Sequence, residues 1–415
     1  MMSGKPKISM KKIVYLFFII SLFATVTNFV PLSVSFSVLC FLFPFVFGRI
    51  FNRPVPKFYF FLLLIYVYFL ISTLQYSPKV LLQPEFYRRD GNFFPVYLPI
   101  IILWLIPLQI NIERITKHFV IWASLFSLIA YLILPAEAPH IHHLFFITHN
   151  AAGGFISILL ALCIGQYLEK RDKIFFMLGI LDFFLLWETG SRGSLLAIII
   201  AIIQILILKG HFTKLLLLGA TIIMVIILFY AYPIWVESGK HYGIPSIGTI
   251  DEIREDNINN RIFYLWPRAL DNFWKSPIVG QGFGSYNDTP YHFEDFGIAV
   301  LNTSKIYINS DAHAHNSYLN ILSETGLVGI SLVIMFLVSL YRFIKRSGLS
   351  KGIDLGLRIA FWVVIWSSFT EHRLTAPAQM LPFTILVGFI LSNFHSYQTR
   401  TSIAYESQRN TRYYR

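Results

Sequence analysis

The sequence predicts an all-α fold, a polytopic membrane protein with about 12 transmembrane helices and one large outer loop. Composition is the first reason, because 55% of the residues are apolar, 17% are aromatic and only 13% are charged. This leaves too little polar surface to cover a soluble protein of 415 residues. The second reason is that apolar runs recur along the chain, and the third is that basic residues lie between alternate runs.

The apolar runs give the number of predicted spans. Several runs are shorter than the roughly 20 residues of an upright membrane helix, so the ends of single spans are approximate. The segment 174–208 could form one hairpin or a broken element. The runs lie near 13–30, 32–48, 58–74, 96–110, 119–135, 148–168, 174–187, 193–208, 214–232, 316–340, 357–370 and 380–393.

Basic residues give the predicted orientation. If the spans alternate from an N-terminus inside the cell, every inner loop contains Lys or Arg, as the positive-inside rule requires. The lysines before the first run resemble the start of a signal peptide, but no small-residue cleavage site follows, which predicts a retained anchor. The net charge of +12 is therefore explained by topology, and it gives no support to nucleic-acid binding.

The predicted organisation has four parts. Residues 1–232 form an N-terminal membrane region of about nine helices, and residues 316–393 form a C-terminal one of about three. Between them, residues 233–315 form the outer loop, and residues 394–415 form a tail inside the cell. Within the loop, Asn259 to Lys275 predicts short amphipathic helices with a break at Pro267.

One stretch joins the outer loop to a membrane helix and carries the strongest candidates for function. It reads D-A-H-A-H-N-S-Y-L-N-I-L-S-E-T-G-L-V-G-I, from Asp311 to Ile330. Asn316 or Ser317 can cap the helix, and Glu324 lies roughly 13 Å beyond His315 at helical rise. A carboxylate at that depth is costly unless it faces protein or a wet cavity, which favours a functional role. The alternative is a capped membrane helix with polar flanks.

Three arginines on the outer side are candidates for binding an anion. Arg192 lies in the polar interruption E-T-G-S-R-G-S, where its alternative role is to reach the interface or to pair with Glu188. Arg261 and Arg268 would share one helix face if Pro267 does not rotate them apart. A guanidinium group matches a phosphate bidentately, which a lysine does not.

The Gly-rich run P-I-V-G-Q-G-F-G-S-Y, Pro277 to Tyr286, could wrap an anion with backbone amides. It lacks the lysine and hydroxyl of a nucleotide-binding loop and follows no strand signal. Tight turns that return the chain to the membrane surface are therefore the favoured interpretation.

A histidine cluster occupies the outer segment A-P-H-I-H-H-L-F-F-I-T-H. No cysteine accompanies these histidines, and their spacing does not match a standard zinc pattern. Headgroup or substrate contacts, or simple solvation, are favoured over a metal, so no metal site is predicted. The histidines are His140, His142, His143 and His149.

Three motifs together resemble the successive signatures of the bacterial O-antigen ligase and O-antigen polymerase superfamily. They are T-G-S-R-G-S-L-L-A, then R-I-F-Y-L-W-P-R-A-L with P-I-V-G-Q-G-F-G, then H-A-H-N-S-Y-L-N-I-L-S-E-T-G-L-V-G-I. Their order matches, and the family is similar in having about twelve membrane helices, cytoplasmic termini and one large periplasmic loop before the histidine helix. The motifs cover roughly 180–335, and the first 150 residues match only as hydrophobic spans.

The resemblance implies a glycosyltransferase that needs no metal and no cofactor, in the bacterial inner membrane with its active site facing the periplasm. Its donor would be a glycan on undecaprenyl diphosphate. By resemblance, Arg192 and Arg261 would hold the diphosphate, and His315 would take the proton from the acceptor hydroxyl. His313 is the competing base. The residues expected to bind substrate are His313, Arg268, Asn316, Glu324 and Tyr318.

Three functions remain, and the first two differ in the acceptor. The leading one is an O-antigen ligase that joins the polysaccharide to a lipid A-core sugar in lipopolysaccharide biosynthesis. The close alternative is a polymerase of O-antigen or capsule repeat units, which would use a second lipid-linked repeat unit. A lipid-linked oligosaccharide flippase ranks third, because the candidate ionisable residues gather at one face and no internal repeat is found. Membrane lipids are expected partners in every case.

Overall fold

The structure is a computed structural model in which part of the chain is described. Three predicted spans, near 13–30, 32–48 and 214–232, lie outside that part, as does the tail 394–415. The described residues are 55–83, 86–105, 111–137, 141–208, 261, 265–286, 291–292, 306–307 and 313–393.

Most of the described chain is helical. Short 3-10 turns connect the first two helices, at Pro78–Leu82, Phe86–Arg88 and Asp90–Asn92. The α-helices are α1 (Lys57–Tyr76), α2 (Phe93–Leu105), α3 (Ile112–Ile133), α4 (His149–Lys170), α5 (Lys173–Glu188), α6 (Arg192–Leu208), α7 (Trp266–Lys275), α8 (Ser317–Lys345), α9 (Lys351–Ser367) and α10 (Pro377–Asn393).

Four of these helices, α1, α3, α4 and α8, are long and apolar enough to span a membrane. Helices α6 and α10 are apolar but shorter. These findings confirm a helical membrane protein, although two-residue strands β1 (Tyr291–His292) and β2 (Ile306–Tyr307) also pair antiparallel. The segment 174–208 forms two helices, α5 and α6, with a break at 189–191. The total of about 12 helices and the large periplasmic loop stay predictions.

Helix α4 lies at the centre of the described bundle. In its apolar 18-residue stretch, 78% of the residues are buried, whereas the share is 39% in α1 and in α8. It packs closely on α9, and a Cβ atom added to Gly165 would lie 2.2 Å from the backbone nitrogen of Gly356. Glycine at such contacts lets membrane helices approach each other. A Cβ atom on Gly352 would meet Gln166, and one on Gly356 would meet Leu162. These contacts run in opposite chain order, so the helices are antiparallel. The end of α9 therefore lies near the start of α4.

Helix α8 is broken at Gly326, whose φ and ψ are 62° and −163°. The Gly-rich run packs its backbone against this break. The N–H of Gly282 donates to the carbonyl of Glu324 at 2.8 Å, and the N–H of Leu327 donates to the carbonyl of Pro277 at 2.9 Å. The run does contain turns with positive φ, but in the described structure they brace a membrane helix rather than form an open anion cradle.

Candidate active site at the helix ends

Five helix ends meet at one end of the described bundle, namely the starts of α4, α6 and α8 and the ends of α5 and α9. The loop 368–376, which joins α9 to α10, connects them. From this loop, Arg373 donates to the carbonyl of Asn150 at 2.6 Å and to Oγ of Ser194 at 3.2 Å. The carbonyl of Ser368 accepts from the N–H of Ser317 at 2.8 Å. Polar groups from distant parts of the chain are thus held together.

Glu371 is the central carboxylate of this site. Its Oε2 lies 2.9 Å from Nδ1 of His315, and its Oε1 accepts from Nη2 of Arg261 at 2.8 Å. Arg261 also donates to the carbonyl of Thr370 at 2.7 Å. Burial by itself raises the pKa of Glu371, but the hydrogen bond from His315 and the charges of His315, Arg373 and Arg261 lower it to about 2. Glu371 is therefore ionised at neutral pH.

The backbone around His315 fixes its side chain next to Glu371. His315 has a φ of 46°, in the left-handed region that non-glycine residues rarely adopt. Oδ1 of Asn316 accepts from the N–H groups of Tyr318 and Leu319 at 3.0 and 3.1 Å, so the predicted cap of α8 is Asn316. The hydroxyl of Ser317 donates instead to the carbonyl of Glu371 at 3.2 Å. A strained position that is held this firmly is typical of functional residues.

The carboxylate also sets which nitrogen of His315 is basic. An ionised Glu371 can only accept hydrogen bonds, so Nδ1 of His315 must carry the proton that is shared with it. In neutral His315 the lone pair then lies on Nε2. The side chain is 31% exposed, so a ligand can reach it.

His313 has the opposite arrangement. Its Nδ1 accepts from the N–H of His315 at 3.2 Å, so in neutral His313 the proton lies on Nε2. Its ring lies 5.0 Å from that of His372, in a stacked arrangement. Burial lowers the pKa of His313 well below its usual value, and the charges of His315 and His372 lower it further. His313 is thus a neutral hydrogen-bond donor in this arrangement.

A buried polar pair supports the histidine loop from behind. Asp90 accepts from the side-chain amide of Asn320 at 2.9 Å, and the oxygen of that amide accepts from the N–H of Ala314 at 3.1 Å. Oδ1 of Asp90 also lies 3.1 Å from Nε2 of His372. These contacts fix Ala314, the residue between His313 and His315.

The three candidate arginines are placed differently. Arg261 pairs with Glu371, as described above. Arg192 is exposed at the first position of α6, and its neighbour Gly193 packs so closely on Thr370 that an added Cβ atom would lie 2.6 Å from Oγ1. Arg268 is fully buried in α7, with its guanidinium 4.9 Å from the centre of the Tyr286 ring. Arg192 and Arg261 therefore border the site. The described contact of Arg268 is with Tyr286, at the end of the Gly-rich run.

Two candidates on α8 make contacts within the fold. Glu324 is fully buried, and its Oε1 accepts from the N–H of Tyr286 at 3.1 Å, which fastens the Gly-rich run. The hydroxyl of Tyr318 donates to the carbonyl of Ile365 at 3.0 Å, and its ring lies 4.6 Å from that of Phe369. Their roles in binding substrate stay predictions.

Sequence reasoning missed Glu371 and Arg373. The signal was present, since the triplet E-H-R interrupts two apolar runs at a position that the charge pattern places on the same side as His315. A charged residue next to apolar membrane segments is costly unless it faces protein or a wet cavity, so Glu371 and Arg373 are functional candidates for the same reason as Glu324.

The charges of the site favour an anion. Three arginines, Arg192, Arg261 and Arg373, lie at or beside one carboxylate. Within the described residues, Nε of Arg261 and Nε of Arg373 are buried and have no hydrogen-bond acceptor. A phosphate oxygen would supply such an acceptor. Near this site, Glu137, His143 and His149 each place one potential metal-ligand atom within 4.8 Å of the others.

Comparisons with known proteins agree with the motifs. Residues 175–334 match the family model described as O-antigen ligase. The chain is also similar to the exopolysaccharide production protein ExoQ of Rhizobium meliloti (strain 1021), with 28% identity over 127 residues. This similarity spans 29% of the chain and 28% of ExoQ, so it covers less than a third of either protein. Through residues 175–334, the chain is therefore similar to the O-antigen ligase family.

Proposed function

We propose that this protein is a glycosyltransferase that moves a glycan from undecaprenyl diphosphate to a sugar hydroxyl, at the periplasmic face of the bacterial inner membrane. One observation carries the proposal, namely that Glu371 joins Arg261 and His315 through its two oxygens. A cationic group for the leaving diphosphate and a base for the acceptor are thereby held at a fixed separation. Such positioning is what group transfer requires.

In the proposed reaction, the acceptor oxygen forms a bond to the anomeric carbon of the donor sugar. The bond between that carbon and the phosphate oxygen breaks, and its electron pair leaves with undecaprenyl diphosphate. Nε2 of His315 takes the proton of the acceptor hydroxyl. Glu371 stabilises the imidazolium that forms, because it is an ionised carboxylate hydrogen-bonded to Nδ1.

The arginines stabilise the negative charge that develops on the diphosphate. Arg192 and Arg261 are the proposed ligands, and Arg373 is a further cation that was not expected from the motifs. Preorganised guanidinium groups can supply the charge stabilisation that a divalent ion supplies in other transferases. We therefore expect a chelator to leave the rate of transfer unchanged in a purified assay. Loss of transfer with rescue by a divalent ion would contradict this part of the proposal.

The leading acceptor is a lipid A-core sugar, which makes the protein an O-antigen ligase. The similarity to ExoQ favours a second candidate, a polymerase that extends lipid-linked repeat units, because that relative is named for exopolysaccharide production. Both reactions use the same donor chemistry, so the geometry of the histidine and the arginines supports them equally.

A deletion strain distinguishes these functions. A ligase predicts lipopolysaccharide without any O-antigen on the core, together with accumulation of the lipid-linked polymer. A polymerase of O-antigen predicts a core that bears one repeat unit, and a polymerase of another polysaccharide predicts unchanged lipopolysaccharide with loss of that polymer. A strain with none of these changes would contradict the proposed function.

Reporter fusions test the orientation that the function needs. Fusions after Lys57, Lys173, Lys214 and Lys351 should be cytoplasmic, and fusions near residues 245 and 375 should be periplasmic. A cytoplasmic reporter near 245 would overturn the proposal, since the donor glycan is displayed on the other face.

A further inference from the structure

We propose that Glu137, His143 and His149 form a binding site for a divalent transition-metal ion, with Zn²⁺ as the best-suited ion. One ligand atom from each side chain lies within 4.8 Å of the others. The site lies in the segment between α3 and α4. Its ligands are different side chains from the histidine and arginines of the proposed glycosyl transfer.

Backbone hydrogen bonds fix the chain at two of the three ligand residues, Glu137 and His149. Glu137 donates its N–H to the carbonyl of Ile141 at 3.0 Å. His149 is the first residue of α4, where Oγ1 of Thr148 accepts from the N–H of Ala151 at 3.1 Å. A site held by such supports needs little reorganisation to bind an ion.

The contacts between the side chains already bring them together. Nε2 of His143 is in hydrogen-bond contact with a carboxylate oxygen of Glu137. The rings of His143 and His149 lie 5.9 Å apart, at an interplanar angle of 38°. An ion pair between Glu137 and His143 explains only the first contact. A shared metal ion explains why His149 joins them.

The type of ligand identifies the class of ion. Two imidazoles and one carboxylate are a common ligand set for Zn²⁺, with a fourth position for water. Ca²⁺ and Mg²⁺ prefer oxygen ligands, so they fit this set less well. Zn–N bonds of about 2.0–2.1 Å place tetrahedral ligand atoms about 3.3 Å apart. The ligand atoms here lie within 4.8 Å of one another, so side-chain rotation would adjust their spacing on binding.

The position of the site suggests what the ion would do. Asn150 follows His149, and its carbonyl accepts the hydrogen bond from Arg373 at 2.6 Å. The segment between α3 and α4 is also attached to the end of α5, because the N–H of His142 donates to the carbonyl of Glu188 at 2.9 Å. A bound ion would therefore fasten the segment before α4 beside the arginine site and stabilise the folded protein.

Metal binding by the full-length protein tests this inference. The protein, purified in detergent without a histidine tag, is stripped with a chelator, desalted, and titrated with ZnCl₂ while bound metal and melting temperature are measured. We expect one Zn²⁺ per chain and a higher Tm with the ion. The double variant His143→Ala/His149→Ala should lose both effects. His142→Ala is the matched control, because His142 lies in the same segment but packs on Tyr131, with ring centroids 4.5 Å apart.

A milder variant keeps the test informative if the double variant misfolds. Glu137 is exposed, so Glu137→Gln should fold normally, and it should weaken Zn²⁺ binding at least tenfold. Failure of the wild type to retain Zn²⁺, or equal Zn²⁺ affinity in Glu137→Gln and wild type, would overturn the site. Neither result depends on transferase activity, so the proposed function is tested separately.

Discussion

The start of α8 and its break at Gly326 use ionisable residues in different ways. At the start, His315 is 31% exposed and meets a carboxylate from a separate loop, beside arginines that can still accept a ligand. At the break, Glu324 is fully buried and accepts a hydrogen bond from a backbone N–H of the Gly-rich run. A charged residue in a membrane helix is a functional candidate. The comparison teaches that exposure to a ligand distinguishes a residue that can take part in catalysis from one that stabilises the fold.

The largest expected effect is at the break itself. Gly280→Ala and Gly326→Ala should prevent normal folding, because the added Cβ atoms would lie 2.1 Å from the carbonyl oxygen of Glu324 and 2.4 Å from that of Ile278. We expect a loss of roughly 3 kcal/mol or more, measured as a lower Tm and as aggregation after extraction in detergent.

Gly348→Ala is the matched control for that prediction. Gly348 also has a positive φ, of 68°, but a Cβ atom there would meet nothing within 4 Å. Its variant should lose only about 1 kcal/mol, the backbone cost of the left-handed conformation. Equal stability of Gly326→Ala and Gly348→Ala would show that the Gly-rich run does not brace the break.

The next prediction distinguishes the role of Glu371 from that of Glu324. Glu371→Gln puts an amide beside His315 that can donate to Nδ1, which forces the proton onto Nε2 and removes the base. We expect kcat of the purified protein to fall at least about a hundredfold, with donor binding retained. Glu324→Gln is the isosteric comparison at the break, and it should lower Tm because Glu324 accepts a hydrogen bond from the Gly-rich run. A kcat within threefold of wild type in Glu371→Gln would contradict the positioning role of Glu371.

A smaller effect tests whether the arginines act through geometry or through charge alone. If Arg192 and Arg261 each grip a phosphate bidentately, lysine should restore little of what alanine loses. The expected loss is roughly 2 kcal/mol in kcat/KM, about thirtyfold, in either lysine variant. Near-normal transfer by Arg192→Lys would show that a point charge suffices and would favour the interface role of Arg192.

Local patterns in the sequence predicted the local features of this structure. Asn316 caps α8, and α7 begins at Trp266, with the predicted break at Pro267 falling in its first turn. Both features depend on residues that are adjacent in the chain, where capping and the backbone of proline act directly. Helix positions followed in the same way from apolar runs.

Features that depend on distant residues were not predicted. Glu371 is 110 residues from Arg261 and 56 residues from His315 in the sequence. A periodic pattern of apolar residues does not predict contacts between residues that are so far apart. The break at Gly326 was missed for a related reason. S-E-T-G-L-V-G-I resembles an unbroken helix, and only the packing of the Gly-rich run supplies hydrogen bonds for the interrupted backbone.

The identity of the base tests the central claim most directly. The measurement is single-turnover transfer by His315→Ala and His313→Ala, each with its affinity for the lipid-linked donor determined separately. Of these two histidines, His315 has its Nε2 lone pair free, whereas Nδ1 of His313 already accepts from the N–H of His315. His315→Ala should therefore lose roughly 10²- to 10⁴-fold in rate while it still binds donor, and His313→Ala should lose much less. If His315→Ala retains activity and His313→Ala does not, the assignment of the base is wrong; if both retain activity, histidine is not the base.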